Sequence, residues 1–167
     1  LILVLQIILA VLICVLYINN GNKERYKSKI VVDLLLKRKN ENNKEEILLS
    51  LRENTGYRDG YYDLPGGHVD KDEDLFAAMI REAKEEIGID IFREDMKIVH
   101  IYHHFRNNML KLVFCVNKYE GILINNEPEK CKELKWFEVE NLPENIIPKI
   151  REEILNVENS VLYNYDE

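Results

Sequence analysis

The chain has 167 residues, a formal net charge of −7 and 46% hydrophobic residues. This length is enough for one domain with a sizeable core. The negative net charge argues against general nucleic-acid binding, because binding to phosphates depends on a basic surface. The three cysteines, at positions 14, 115 and 131, show neither metal-site spacing nor a disulfide framework.

The chain begins with an apolar run from Leu1 to Ile18, which only Gln6 interrupts. A helix of this length would measure about 27 Å, close to the ~30 Å hydrocarbon core of a bilayer. Residues 1–22 therefore have two interpretations: a single transmembrane anchor, or an extension that is foreign to the natural protein. With an anchor, the positive-inside rule keeps the basic residues that follow the run in the cytoplasm. These residues are Lys23, Arg25, Lys27 and Lys29.

Three strands are predicted in the next part of the chain. Residues 28–37 are rich in Val, Ile and Leu, and residues 47–51 repeat that composition after a polar hairpin loop at residues 38–45. A short aromatic strand follows at residues 61–64.

An amphipathic helix of about four turns is predicted after these strands. Pro65, Gly66 and Gly67 break the preceding structure. Acidic residues at positions 70–74 suit a helix start, where carboxylates meet the positive end of the helix dipole, and Gly88 supplies a C-terminal stop. The apolar residues recur with helical periodicity: Leu75, Phe76, Met79, Ile80, Ala83 and Ile87.

Glu82, Glu85 and Glu86 project together from this helix, because they are spaced at i, i+3 and i+4. They lie beside the apolar stripe, so a helix packed through that stripe holds them at the edge of a groove. Like charges at this spacing repel one another, and a cation would offset the repulsion. Clustered carboxylate oxygens suit a hard divalent ion, Mg²⁺ or Mn²⁺. The alternative interpretation is a solvated acidic face.

The second half of the chain continues the alternation of strands and helices. Residues 96–105 and 110–119 are predicted to be antiparallel strands, residues 134–139 a further strand, and residues 148–157 a closing amphipathic helix with Pro148 in its first turn. Strands, a helix, more strands and a second helix make an α/β layered pattern.

A few ring side chains outside the helix are candidates for binding. Three tyrosines can stack on a base, although packing is the commoner role of tyrosine near a turn: Tyr57, Tyr61 and Tyr62. On the strand at residues 96–105, His100 and His104 share one face and His103 lies on the other. No cysteine or further histidine completes a zinc set, so we interpret the three histidines as surface residues of the strand.

The stretch from Gly67 to Ile89 resembles the Nudix box, G-x5-E-x7-R-E-U-x-E-E-x-G-U, where U is apolar. The match has no gap, and Ala83 is a small occupant of a U position. The defined positions are Gly67, Glu73, Arg81, Glu82, Ala83, Glu85, Glu86, Gly88 and Ile89. The resemblance makes residues 23–167 a Nudix hydrolase domain and leaves residues 1–22 outside it.

The resemblance implies a fold and a set of site residues. The expected fold is an α/β/α sandwich with a mixed sheet between helices. The metal ligands and catalytic groups would be Glu82, Glu85 and Glu86, with the Gly67 carbonyl as a further ligand. Glu73 and Arg81 would pair to support the site. A further carboxylate from outside the box would come from Glu127, Glu129 or Glu133, of which we favour Glu133.

Nudix enzymes hydrolyse a nucleoside diphosphate linked to another group, X, so the resemblance implies a nucleotide substrate and a divalent-metal cofactor. The first expectation is a MutT-type (d)NTP diphosphatase that releases nucleoside monophosphate and pyrophosphate. An ADP-ribose or nucleotide-sugar diphosphatase is the alternative. A non-catalytic binding module with the same fold is a third interpretation, which the intact box disfavours. Such a protein is expected in the cytoplasm, free or anchored there through Leu1 to Ile18.

Overall fold

The computed structural model describes residues 27–166. The predicted membrane segment from Leu1 to Ile18 lies outside these residues. Within the described part, no helix has the length and apolar character needed to cross a membrane.

Eight strands and two α-helices make up the described fold. The strands are β1 (Lys29–Lys39), β2 (Glu45–Arg52), β3 (Tyr62–Asp63), β4 (Gly66–His68), β5 (Lys97–His104), β6 (Met109–Val116), β7 (Cys131–Glu138) and β8 (Tyr163–Tyr165). The helices are α1 (Leu75–Ile87) and α2 (Pro148–Glu158), and three short 3₁₀ helices follow α1, β5 and β7. The predicted strands and both predicted helices are therefore confirmed, within a few residues at their ends.

The strands form one mixed sheet in the order β3-β2-β1-β6-β5-β8. β4 pairs with β1, and β7 pairs with β2. The β1–β6 and β5–β8 pairs are parallel, and the other pairs are antiparallel. Strand β1 is thus central, which explains why its middle reads as an almost continuous apolar run.

The two helices cover opposite faces of this sheet. Alternate residues of β1 point to opposite faces: Val32, Leu34 and Leu36 share a core with α1, whereas Leu35 shares a second core with α2. The expected α/β/α sandwich with a mixed sheet is confirmed.

The ends of α1 follow from local sequence. The carboxylate of Asp74 accepts hydrogen bonds from the N–H groups of Phe76 and Ala77, at 2.9 and 3.0 Å, and so caps the first turn. Gly88 ends the helix in the left-handed conformation, with φ 75°, and its N–H donates to the Lys84 carbonyl. The predicted stop at Gly88 is confirmed, and α1 is fixed at both ends.

Two strands were not predicted from the sequence. Strand β4 has only three residues and two of them are glycines, so it reads as a loop; pairing with Val31, Val32 and Asp33 of β1 makes it a strand. Strand β8 is an edge strand of three residues that pairs with β5. Both owe their structure to partners distant in sequence.

Candidate active site

Helix α1 has a buried apolar side and an acidic side. Its buried residues are Ala78, Met79, Ala83 and Ile87. Because packing of these residues fixes the rotation of the helix, Glu82 and Glu86 are held at the margin of the core, with Glu85 further towards solvent. The predicted placement of three carboxylates beside the apolar stripe is therefore present.

The β4 backbone lies directly against these carboxylates. The N–H of Gly66 donates a 2.8 Å hydrogen bond to Glu86 Oε2. A Cβ on Gly66, at φ 152°, would lie 2.1 Å from the Val32 carbonyl oxygen, and one on Gly67 would lie 2.3 Å from Glu82 Oε1. The two glycines thus allow the main chain to approach both the sheet and the acidic face more closely than a side chain would permit.

Arg81 ties the loop before α1 to the acidic face. Its guanidinium makes two bonds to Glu73, Nη2 to Oε1 at 2.7 Å and Nε to Oε2 at 3.1 Å. Nη2 also donates to the His68 carbonyl at 3.1 Å. Nη1 donates to Glu82 Oε1 at 2.8 Å and to Glu85 Oε2 at 3.1 Å. The expected Glu73–Arg81 pair is present, and Arg81 also restrains two of the three carboxylates, which the sequence did not indicate.

The acidic face carries more negative charge than its surroundings neutralise. Burial raises the pKa of Glu86 to about 8; the Gly66 hydrogen bond opposes this, while the charges of Glu82, Glu127 and Asp33 add to it. Burial also raises the pKa of Glu82, against the effect of Arg81. A cation at this face would favour the ionised carboxylates.

The residues present fit a hard divalent ion through their donor atoms. Within residues 27–166, Glu82, Glu85 and Glu86 each keep one carboxylate oxygen without a hydrogen-bond partner. No three acidic, histidine or cysteine side chains of the described residues already converge on one point. Coordination would therefore require the side chains to turn inward, with Glu82 and Glu85 moving relative to Arg81.

The three carboxylates considered as additional ligands lie in different environments. Glu127 lines the cavity beside α1, and its charge contributes to the raised pKa values of Glu82 and Glu86. Glu133 accepts a hydrogen bond from the Tyr62 hydroxyl and does not line this cavity. The carbonyl of Glu129 accepts from Asn54. By position, Glu127 is therefore better placed than Glu133 as a further ligand, although one of its oxygens pairs with Lys130 Nζ at 2.7 Å.

A cavity of about 930 Å³ lies beside the acidic face. It is lined by Gly66, Gly67 and the glutamates of α1. The lining also includes side chains with hydrogen-bond donors and two isoleucines from β1, β5, β6, α2 and the segments next to them: Lys29, His104, Asn107, Lys111, Ile147, Lys149 and Ile150. This volume lies within the range of small-molecule sites, and the lining combines carboxylates with cationic and apolar side chains.

Comparison with known proteins identifies the family. A family model described as the NUDIX domain matches residues 29–156. The chain belongs to the Nudix family. This match runs from the first residue of β1 to residue 156 within α2, and it includes every residue of the box.

Individual relatives of this Nudix domain are distant. An ADP-ribose pyrophosphatase from Methanocaldococcus jannaschii is 29% identical over 118 residues, which cover 68% of this chain and 64% of the relative, slightly under two thirds. A MutT NUDIX hydrolase from Burkholderia pseudomallei superposes with a TM-score of 0.67 at 24% identity, over 77% of this chain and 97% of that one. A MutT protein from Methanosarcina mazei Go1 gives a TM-score of 0.63 at 24% identity, over 81% and 96%. These structures share the fold.

A buried charged cluster of the Nudix domain was missed in the sequence. Lys111 Nζ of β6 lies 2.8 Å from Asp33 Oδ2 of β1 and 3.6 Å from Glu153 Oε2 of α2. Asp33 and Glu153 are almost fully buried, and neither Glu153 oxygen has a hydrogen-bond partner in the described residues. The sequence does contain a signal for this cluster, because one charged residue interrupts the apolar run of each strand, Asp33 in β1 and Lys111 in β6.

The tyrosines and histidines considered in the sequence analysis differ in how exposed they are. Tyr57 is 61% exposed and lines the cavity, whereas Tyr62 is buried with its ring edge against Phe137. The interpretation of the histidines as surface residues is wrong for His100, which is fully buried. Its Nδ1 lies 2.7 Å from the Val161 carbonyl and its Nε2 lies 2.9 Å from Asn164 Oδ1. The cause is the unpredicted segment around β8, which covers that face of β5.

Proposed function

We propose that this Nudix domain hydrolyses the diphosphate bond of a nucleoside diphosphate linked to another group, X, with Mg²⁺ or Mn²⁺ as cofactor. The observation that carries the proposal is the face of Glu82, Glu85 and Glu86, which lies against the Gly66–Gly67 backbone and lines a large cavity. This arrangement offers oxygen ligands for a hard cation and room for a nucleotide.

The glutamates would hold the ion together with the Gly67 carbonyl. When bound, a divalent ion neutralises diphosphate oxygens and makes a coordinated water more acidic. Glu82 or Glu86 orients the attacking water and accepts its proton, and both assignments stay open. Burial of Glu86 raises its proton affinity, which suits a proton acceptor. Water oxygen bonds to phosphorus as the anhydride bond breaks, and the leaving phosphate takes the electron pair.

Two substrate classes follow from different observations. A (d)NTP, cleaved to nucleoside monophosphate and pyrophosphate, is the first candidate, because the described residues form one compact domain. ADP-ribose or a nucleotide sugar is the second candidate, and the named activity of the Methanocaldococcus jannaschii relative favours it. In that reaction two phosphomonoesters are formed, and no pyrophosphate is released.

A substrate screen distinguishes these classes. Purified protein is incubated with (d)NTPs, ADP-ribose and nucleotide sugars, with Mg²⁺, with Mn²⁺, or with excess chelator. Pyrophosphate is detected through added inorganic pyrophosphatase, and phosphomonoesters formed from ADP-ribose are detected through added alkaline phosphatase. We expect metal-dependent turnover in one class and its loss in the Glu86→Gln variant. Absence of turnover with every substrate, together with measurable nucleotide binding, would support the non-catalytic module instead.

A further inference from the structure

The last strand, β8, and the residues next to it are attached to β5 through two histidine side chains, His100 and His104. The first contact is that of the buried His100 with the carbonyl of Val161 and with Asn164, described above. Further along β5, His104 Nδ1 lies 2.9 Å from Asp166 Oδ2, and the other oxygen of Asp166 accepts the Phe105 N–H at 3.0 Å. Asp166, which follows β8, therefore contacts His104.

The contact with Asp166 fixes the proton position on His104. Burial of Asp166 opposes its ionisation, but the hydrogen bonds from His104 and the Phe105 N–H outweigh that effect and lower the pKa of this carboxyl. A carboxylate only accepts hydrogen bonds, so Nδ1 of His104 must carry the proton. In the neutral ring, Nε2 is then a hydrogen-bond acceptor, and it has no hydrogen-bond partner among residues 27–166.

The wall around His104 is held from the same segment. His104 lines the cavity from β5, and two strands, β1 and β6, separate β5 from β4, which contacts the glutamates of α1. Its ring packs edge-on against the ring of Tyr102, with centroids 4.5 Å apart. Lys149 Nζ lies 3.7 Å from the centroid of the same Tyr102 ring. Lys149 also lines the cavity and pairs with Glu152 at 2.8 Å, and Glu152 accepts from Asn164 of β8 at 3.0 Å. Strand β8 thus supports two cavity-lining residues, His104 and Lys149.

We propose that His104 binds the part of the substrate that lies away from the diphosphate, and that Asp166 is its positioning residue. The inference rests on the proposed function and adds a specificity-determining residue to it. Nε2 of His104 accepts a hydrogen bond from an O–H or N–H group of the nucleoside portion. Two groups of a nucleoside can donate this hydrogen bond: a sugar hydroxyl and an exocyclic amino group of the base.

Two substitutions of His104 separate ligand binding from anchoring of β8. In His104→Asn the amide occupies roughly the place of Nδ1, so the contact with Asp166 is retained and the group at Nε2 is lost. In His104→Gln the amide reaches roughly the place of Nε2, so an acceptor remains there. His103→Gln is the matched control, because His103 contacts Tyr163 of β8 at 3.3 Å but does not line the cavity.

We expect His104→Asn to raise KM by about three- to tenfold, the effect of one uncharged hydrogen bond, with little change in kcat. His104→Gln should recover most of that loss, His103→Gln should leave KM unchanged, and Asp166→Asn should raise KM in the same direction as His104→Asn. The reverse ranking, with His104→Asn harmless and His104→Gln impaired, would show that His104 only anchors β8.

Substrate analogues identify the source of the hydrogen bond. With the 2′-deoxy or 3′-deoxy nucleotide, or with inosine in place of an amino-bearing purine nucleoside, the KM values of wild type and His104→Asn should become equal for the analogue that lacks the bonded group. A persistent difference for all analogues contradicts the assignment.

A binding measurement keeps this inference distinct from the proposed function. Ring ¹⁵N signals of His104 are followed while ATP, GTP, CTP, UTP and ADP-ribose are each added to the full chain; this readout requires no turnover. We expect the free protein to show the Nδ1–H form and a nucleotide to perturb Nε2. Unperturbed His104 signals at the end of every titration would overturn the inference, whereas absence of hydrolysis in the substrate screen would overturn only the proposed function.

Discussion

The carboxylate of Glu86 and the N–H of Gly66 are joined by a 2.8 Å hydrogen bond between helix α1 and strand β4. This contact brings the most deeply buried of the three α1 carboxylates against the main chain of the glycine pair. Burial disfavours the ionised form of Glu86, whereas the proposed metal binding requires it. The charge of Glu86 is therefore expected to lower stability and to support activity.

Glu86→Gln should therefore separate activity from stability. The amide keeps the shape and can still accept the Gly66 hydrogen bond, but the substitution removes a charge from the proposed metal site. We expect turnover to fall by more than about 100-fold, while the melting temperature is unchanged or higher, since a buried charge is removed. Glu94→Gln, at an exposed position of the 3₁₀ helix after α1, is the control. Near-normal turnover in Glu86→Gln would remove Glu86 from the site.

Glu73→Gln should show the opposite balance. Glu73 makes a two-bond ion pair with Arg81 and also accepts the Asp70 N–H at 2.7 Å. Its loss loosens the loop before α1, so the melting temperature should fall more than in Glu86→Gln and turnover should fall less. Thermal unfolding and steady-state kinetics on both variants check the ranking. If both rankings are reversed, Glu73 acts in the chemistry.

The two glycines of β4 should respond differently to alanine. In Gly66→Ala the new Cβ meets the Val32 carbonyl, which is backbone and cannot move away. We expect a loss of about 3 kcal/mol or more in the free energy of unfolding. In Gly67→Ala the three atoms nearest to the Cβ belong to the Glu82 carboxylate, a side-chain end that can move. The free energy of unfolding should therefore fall by about 1 kcal/mol, and activity should be affected more than stability.

Gly56→Ala is a suitable control for this pair. Gly56 also has a positive φ, 76°, but a Cβ there has no neighbour within 4 Å. Its loss of stability, measured by denaturant unfolding, reports backbone strain without a clash, about 1 kcal/mol. A Gly66→Ala variant no less stable than Gly56→Ala would show that β4 can withdraw from β1.

The buried cluster of Lys111, Asp33 and Glu153 should make stability depend on pH. Burial raises the pKa of both carboxyls above their usual range. Between about pH 4 and neutrality, the folded state then binds more protons than the unfolded state, so this contribution to stability falls as pH rises. Glu153→Gln should flatten that slope and raise the free energy of unfolding at pH 8 by about 1–3 kcal/mol.

Lys111→Met tests the same cluster from the other side. It leaves two buried carboxyls without a cation, so we expect a loss of about 3–5 kcal/mol at pH 8 and a smaller loss at pH 5, where the carboxyls hold their protons. Lys118→Met, which removes a 74% exposed partner of Asp95, is the control. Equal losses at both pH values in Lys111→Met would contradict the assigned protonation.

Deleting residues 1–22 tests the proposed extent of the catalytic unit. The family match begins at residue 29, so the shortened protein should fold and retain the metal dependence and turnover of the full chain. Circular dichroism and the substrate screen check both properties. Failure of residues 23–167 to fold would assign the apolar segment to the core.

The sequence was sufficient where the cause of structure is local. The periodicity of α1, the Gly88 stop and the spacing of Glu82, Glu85 and Glu86 all follow from residues within a few turns. Their mutual arrangement with Arg81 was only partly foreseen, because a guanidinium can reach several partners and packing selects among them.

Contacts between distant segments could not be predicted in this way. His104 and Asp166 are 62 residues apart, and their contact depends on β8, whose three residues carry too weak a pattern to be recognised alone. Asp33 and Lys111 meet because β1 and β6 are parallel neighbours, a pairing that the sequence does not specify. Charged residues within apolar strands were the one usable signal of that cluster.

The glutamates of α1 and the cavity-lining residues of β5 and α2 belong to different secondary-structure elements. Because the core that holds α1 lies on the opposite face of the sheet from α2, residues proposed to select the substrate can vary without displacing the proposed catalytic glutamates. Laboratory libraries confined to the cavity-lining residues of β5 and α2 should likewise change which nucleotide is accepted while preserving hydrolysis.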